Sequence, residues 1–294
     1  MALVAIVTYD TPENDRAWMT RDTLDSLSNT VDLHKHRLFI VDNGSCEETL
    51  SLIRVLPNRW PNTTLIENGE NIGTARAINK AWMHREPNEI ALKVDNDVMI
   101  HQDGWLDIIE ETFLREPSIG ILGLKRKDLD ERPGNPISHY QSVLHMIRQE
   151  KGERWIVVEY VNHVMGTCQA YNPLLLEKIG YLEQGDTPYG FDDALSAIRC
   201  KVAGFKSAFL PCIEIDHIDP GGTDYCKWKT DIAGKNFTAY NEAKDDYFNG
   251  KRPIYCGPEG RPWGDSTNAH IENKYLTTEQ RAEITGFLIG TDSL

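Results

Sequence analysis

Hydrophobic and polar positions along the chain fall into short, repeating blocks. Leu3 to Val7 is apolar and β-rich and reads as a buried central strand. Ala17 to Leu27 reads as a helix, with Trp18, Leu24 and Leu27 along one side. Arg37 to Val41 is a second strand pattern, followed by a helix from Cys46 to Val55 capped near Ser45. Thr63 to Glu67 is a third strand, and Thr74 to His84 a helix with Ile78, Ala81 and Trp82 apolar. Ile90 to Val94 is a fourth apolar run. Four alternations of strand and helix with short connections predict a mostly parallel sheet with helices on both faces.

The second half continues with a helix over Gly104 to Arg115 and a strand over Ile119 to Leu124. Residues 125–152 are charged, contain Pro and Gly, and predict no definite element. Trp155 to Val161 reads as a strand, Val164 to Tyr171 as further sheet, and Pro173 to Ile179 as a short helix. Ala194 to Ala203 is a helix stopped by Gly204. A strand follows at Lys206 to Leu210, then the segment Ile213 to Asp219. Beyond Pro220 the chain is polar and aromatic with few apolar runs. The expected organisation is one main domain over residues 1–220, with halves 1–100 and 101–220. An extension, 221–294, wraps it, and the sequence assigns that extension no role.

Each early strand ends in a polar cluster: Thr8 to Asp10, Asp42 to Ser45, Asn68 to Gly73, Asp95 to Asp97. In a parallel sheet these ends share one edge, where open α/β folds bind ligands. Asp95 and Asp97 lie between apolar flanks, and burying two carboxylates is costly without a cation. A divalent ion with a phosphorylated ligand beyond it meets that need. A solvent-facing Asp-Asn-Asp turn is the alternative, and the convergence of four polar ends weighs against it.

Composition narrows the class. The 294 residues are 40% hydrophobic and 26% charged, an ordinary globular mixture. A net charge of −14 disfavours nonspecific binding to nucleic acid or anionic membranes. No apolar run approaches the ~20 residues of a membrane span. The opening Met-Ala-Leu-Val lacks the basic lead of a signal peptide. The six cysteines form no C-x-x-C pair, so a structural zinc site is not expected. Scattered thiols fit a cytoplasmic protein.

Taken together, Thr8-Tyr9, Val41-Asp42-Asn43-Gly44-Ser45, Asn71-Ile72-Gly73 with Arg76, and Val94-Asp95-Asn96-Asp97 resemble the nucleotide-sugar half of a family 2 glycosyltransferase with the GT-A fold. Tyr189-Gly190-Phe191-Asp192-Asp193 before a helix, then Ala203-Gly204-Phe205, is similar to that family's acceptor-side signature. His217 falls where such enzymes often place a third metal contact. The match spans Leu3 to Asp219, and the order and spacing of the motifs carry it.

The resemblance implies a Rossmann-like nucleotide-diphospho-sugar transferase fold. It implies metal-dependent, inverting transfer of a hexosyl or pentosyl group from a nucleoside-diphosphate sugar, UDP-sugar favoured, to a hydroxyl on a saccharide or glycoconjugate. Mn²⁺ or Mg²⁺ is expected at Asp97, with Asp95 and His217, where it offsets the charge of the departing diphosphate. Donor contacts are expected from Thr8, Tyr9 and Asp10, from Asp42 toward the nucleobase, and from Asn71, Asp95 and Asn96. Gly73 would let the backbone approach the ligand, and Arg76 would reach a phosphate. Asp42 reads equally as a turn residue and Arg76 as a solvated helix arginine. Asp193 is the first choice for the base that deprotonates the acceptor, and Asp192 the second. Adjacent acids at a helix start also simply complement its dipole.

Three rivals remain open on sequence. A phage-type DNA glycosyltransferase acting on hydroxymethylated bases would use basic residues, which here are scattered among acids. A nucleotidyltransferase would carry a Gly-rich basic loop after the first strand, where this chain has Tyr9-Asp10-Thr11-Pro12-Glu13. A non-catalytic sugar-nucleotide-binding module would not need Asp95, Asp97, Asp192, Asp193 and His217 together. Of the aromatics Trp155, Tyr160, Tyr171, Tyr189 and Phe191, one or two are expected to line the site and the rest to be core. His139 and His163 receive no role.

Overall fold

The structure is a computed structural model that describes residues 1–129, 143–147 and 154–263. The first half follows the expected alternation: β1 (Ala2–Thr8), α1 (Ala17–Thr30), β2 (Arg37–Asp42), α2 (Glu47–Ile53), α3 (Leu56–Arg59), β3 (Thr63–Glu67), α4 (Thr74–Trp82) and β4 (Ile90–Val94). The second half adds β5 (Val98–Ile100), α5 (Trp105–Arg115), β6 (Ile119–Arg126), β7 (Val143–Met146), β8 (Val157–Val161) and β9 (Cys168–Tyr171). It closes with α6 (Pro173–Ile179), α7 (Asp192–Val202), β10 (Lys206–His217) and α8 (Asp224–Phe248).

The strands form a large central sheet in the order β3-β2-β1-β4-β9-β6-β10-β8-β7, with β5 paired to the end of β10. It is mostly parallel: β3, β2, β1, β4, β6, β10 and β7 share a direction, against β9, β8 and β5. Fully apolar strands suit it because both faces are covered. Along β1, Val4 and Ile6 face α1 and α5 through Leu24, Leu27 and Ile109. Leu3 and Ala5 face the other way, toward the cluster holding Ile78, Leu175 and Ile198 from α4, α6 and α7. Strand periodicity thus divides one run of apolar residues between two cores.

Register sets the functional edge. Thr8 pairs with Asp42, Asp42 with Glu67, and Ile6 with Val94. All four polar clusters therefore lie beyond one edge of the sheet, as the sequence predicts. β9 enters antiparallel with Cys168 opposite Val94, so Gly166 and Thr167 reach the same edge, and the Asp95 N–H donates to the Thr167 carbonyl at 3.0 Å.

Several elements differ from expectation, and α3, β5 and β7 form where the sequence predicts no element. Lys206 to His217 is one strand rather than two segments; a register shift between Leu210 and Glu214 absorbs Pro211, which cannot donate to the ladder. The polar stretch after Pro220 contains the 25-residue helix α8. Only Asn236, Ala243 and Tyr247 on it are buried, so its apolar signal is thin. Much of residues 125–152, and His139 within them, lies outside the described residues.

Candidate active site

A cleft of about 690 Å³ opens at this edge, between the β4 end, the Gly166 segment, the start of α7 and the inner face of α8. Its carboxylates, Asp95, Asp97, Asp192 and Asp193, come from two halves of the chain.

Asp97 is 2% exposed. β5 folds back against β10 with His217 opposite Val98, and the Ile218 N–H donates to the Asp97 carbonyl at 2.9 Å. This long-range antiparallel pairing puts His217 Nε2 3.5 Å from Asp97 Oδ2. The same oxygen accepts a hydrogen bond from Arg16 at 2.5 Å, and Arg16 also donates to Asp219 at 2.7 Å. Burial opposes the charged form of Asp97, but His217, Arg16 and Lys229 outweigh it and hold the carboxyl well below the usual range. Asp97 Oδ1 and His217 Nδ1 are buried without hydrogen-bond partners.

Each of these orphaned atoms, one a carboxylate oxygen and one an imidazole nitrogen, is a ligand of the kind Mn²⁺ or a similar ion takes. Among the described residues no three His, Cys, Asp or Glu side chains gather for a metal. A pair fits an ion that takes its other ligands from phosphate oxygens and water. Arg16 occupies Asp97 Oδ2 and leaves Oδ1 clear for that role.

Asp95 sits on the cleft floor with 38% of its side chain exposed. Burial pushes its carboxyl up to about 6; Lys93 and Lys229 pull it down and Asp97 adds to the rise. Lys93, within the apolar run of β4, is 4% exposed. Its ammonium donates to Asp192 at 2.7 Å and lies 3.9 Å from Asp95.

α7 begins after a tight turn. Gly190 has φ +113° and Phe191 φ +65°, a left-handed conformation unusual for a bulky residue. The Phe191 ring stacks on Tyr240 of α8 at 4.5 Å, which anchors the turn. The turn presents Asp192 and Asp193 at the helix N-terminus. Asp193 Oδ2 accepts the Gly166 N–H at 3.0 Å and lies 3.2 Å from His163 Nε2, while Oδ1 accepts the Ala194 N–H at 2.8 Å. Burial works against its ionisation, yet His163, Lys93 and the Ala194 N–H hold it well below the usual carboxylate range.

Of the residues expected from sequence, Tyr9, Asn71, Asp95, Asn96, Asp97, Asp192, Asp193 and His217 line the cleft. Thr8, Asp10, Asp42, Gly73 and Arg76 stand outside its lining. Asp42 accepts from the Thr8 hydroxyl at 2.9 Å and from the Gly44 and Ser45 N–H groups, a turn that shapes the wall. Asp10 is fully buried, accepting from Thr20, Thr49 and Asn96, and burial raises its carboxyl. Gly73, at φ +95°, leaves room for the Gln184 side chain, whose Oε1 accepts the Ala75 N–H at 3.0 Å. Arg76 donates to the Glu259 carbonyl at 3.1 Å.

No site role follows from sequence for Arg16, Lys93, His163 or the α8 residues Tyr225, Trp228 and Lys229, all of which line the cleft. Lys93 breaks an apolar run, and that break was a legible signal. The α8 residues 225, 229, 233, 240, 244 and 248 recur at helical spacing, but only the fold shows which surface they face.

A family model described as Glycosyl transferase family 2 matches residues 4–180. The chain belongs to glycosyl transferase family 2. Among curated proteins, this family 2 chain is similar to the uncharacterized protein y4gI of Sinorhizobium fredii, 22% identical over 226 residues. That match covers 72% of this chain and 24% of the relative, so the chain spans about a quarter of the relative's length.

Among solved structures it resembles the mannosyltransferase PcManGT from Pyrobaculum calidifontis in complex with GDP-Man and Mn²⁺ (TM-score 0.57, 17% identity, 98% of this chain and 79% of that one). It also resembles S. aureus TarS 1-349 in complex with UDP-GlcNAc (0.55, 16%, 76% and 60%). A third likeness is to GalNAc-T7 with UDP, GalNAc and Mn²⁺ (0.58, 14%, 93% and 54%). At these identities the likeness is one of fold, the GT-A glycosyltransferase arrangement. Among the described residues no helix is long and apolar enough to cross a membrane.

Proposed function

We propose that this chain transfers a sugar from a nucleoside-diphosphate sugar to an acceptor hydroxyl with inversion, assisted by Mn²⁺ or Mg²⁺. The observation that carries the reading is the meeting of Asp95 and Asp97 with Asp193 in one cleft. UDP is the favoured nucleotide, since the TarS and GalNAc-T7 structures hold UDP-GlcNAc and UDP. The acceptor class is a saccharide or glycoconjugate.

Tyr9, Asn71 and Asn96 line the donor end, with Thr8, Asp10 and Asp42 bracing the wall behind them. Asp97 Oδ1 and His217 would hold the metal, with Asp95 beside them. Once bound, the metal supplies positive charge that offsets the leaving diphosphate. Asp193 acts as the base. Three neighbours keep it ionised, the form that can take the acceptor proton, while also making it a weaker base. The acceptor oxygen bonds to the anomeric carbon as the bond to the diphosphate oxygen breaks on the opposite face. Asp192, paired with Lys93, is the less exposed of the two, 11% against 24% for the Asp193 side chain.

The test pairs two variants. Asp193→Asn should bind the donor as wild type and lose transfer by roughly 10²- to 10⁴-fold, the usual worth of a general base. Asp97→Asn should lose metal-dependent nucleotide binding. Full transfer by Asp193→Asn, or unchanged metal-dependent binding by Asp97→Asn, contradicts the assignment.

A further inference from the structure

α8 lies beyond the stretch that carries the family match, and its first two turns stand over the donor end of the cleft. Tyr225 covers the Arg16 guanidinium, which lies 5.0 Å from the ring centroid, and stacks on Trp228 at 5.5 Å. Lys229 follows on the same face. Its ammonium is 5.3 Å from the Tyr189 ring centroid and 5.2 Å from that of Tyr225. Two aromatic faces thus steer it into the cleft. Both Asp95 and Asp97 feel its charge.

The cations near Asp95 and Asp97 differ in how far they are committed. Arg16 is hydrogen-bonded to Asp97 and Asp219, and Lys93 to Asp192. Lys229 has Asp219 Oδ2 at 3.9 Å, beyond hydrogen-bond distance, and 21% of its side chain is exposed. A departing nucleoside diphosphate brings more negative charge than one divalent ion offsets. A lysine with free N–H donors facing the metal-binding carboxylates can complete that balance.

We infer that Lys229 binds the diphosphate of the donor, so that α8 completes the donor site. This rests on the donor reading above and adds to it a residue and an element. It also gives the C-terminal extension a role, since its first turns would serve the donor.

Calorimetric titration of the full chain with Mn²⁺ and inorganic pyrophosphate, then with UDP and GDP, tests the inference without an acceptor. Lys229→Met should weaken pyrophosphate and nucleoside diphosphate binding at least tenfold while the ligand-free protein melts as wild type. Lys229→Arg should restore most of the affinity. Lys235→Met, at an exposed position on the same helix, should match wild type. Wild-type affinity for pyrophosphate in Lys229→Met overturns the inference. So does a loss of binding that comes with a lowered melting temperature and is not rescued by arginine. If the wild-type chain itself binds no nucleoside diphosphate, the donor reading falls and Lys229 with it.

Discussion

Asp193 shows how much of the site rests on single contacts. Its two oxygens accept backbone N–H groups from Gly166 and Ala194, with His163 beside them. Because its folded pKa lies below the unfolded value of about 3.9, its ionised contacts stabilise the fold above that pH. That contribution is lost as pH falls through the folded value. Asp193→Asn should therefore melt below wild type at pH 7, with the gap beginning to narrow only below about pH 4, the unfolded value; a gap that already shrinks between pH 7 and pH 5 would contradict it. The acids of the site were legible because Asp-x-Asp and Asp-Asp motifs stand out in sequence. Their cations were not. Arg16 meets Asp97 and Asp219 from positions far away in the chain, and nothing local announces that.

At the scale of elements, α7 ties the Asp193 end of the cleft to the chain after α8. Arg199, fully buried, donates to the carbonyls of Ile254 at 2.8 Å and Tyr181 at 2.9 Å, and to that of Ile179. Arg199→Met keeps the bulk but strands these carbonyls. The expected cost is roughly 3 kcal/mol or more, since hydrogen bonds to a charged group are worth about 1.5–3 each. Thermal unfolding should read a drop of several degrees, and an unchanged melt would refute the clip. The strands and helices through Val94 were legible because each has a clear period and a polar terminator. β10 and α8 were not. A bulge at Pro211 hid the continuity of one, and a nearly polar surface hid the other.

For the whole molecule, α8 is part of the cleft wall rather than an appendage. Asn236 donates to the Thr187 hydroxyl at 2.6 Å and to the Tyr189 carbonyl at 3.1 Å, and Tyr247 is fully buried against the body. A chain ending at residue 223 should lose its cooperative melt and its nucleotide binding together; a truncated chain that still binds would contradict this. The GT-A architecture was legible because convergence of strand ends follows from parallel topology alone. Closure of that edge by α8 depends on tertiary packing, which the sequence pattern does not encode.

The central claim is a metal-dependent nucleotide site at the β4 end. Its most direct test is thermal unfolding of the full chain with UDP, GDP, CDP, ADP and dTDP, each with and without Mn²⁺, beside Asp97→Asn. A ligand at a hundredfold excess over its dissociation constant stabilises the folded state by about 2.7 kcal/mol. The account predicts a clear upward shift for one nucleotide, only with Mn²⁺, and none in Asp97→Asn. No shift with any nucleotide in the presence of Mn²⁺, or the same shift in Asp97→Asn, would contradict it.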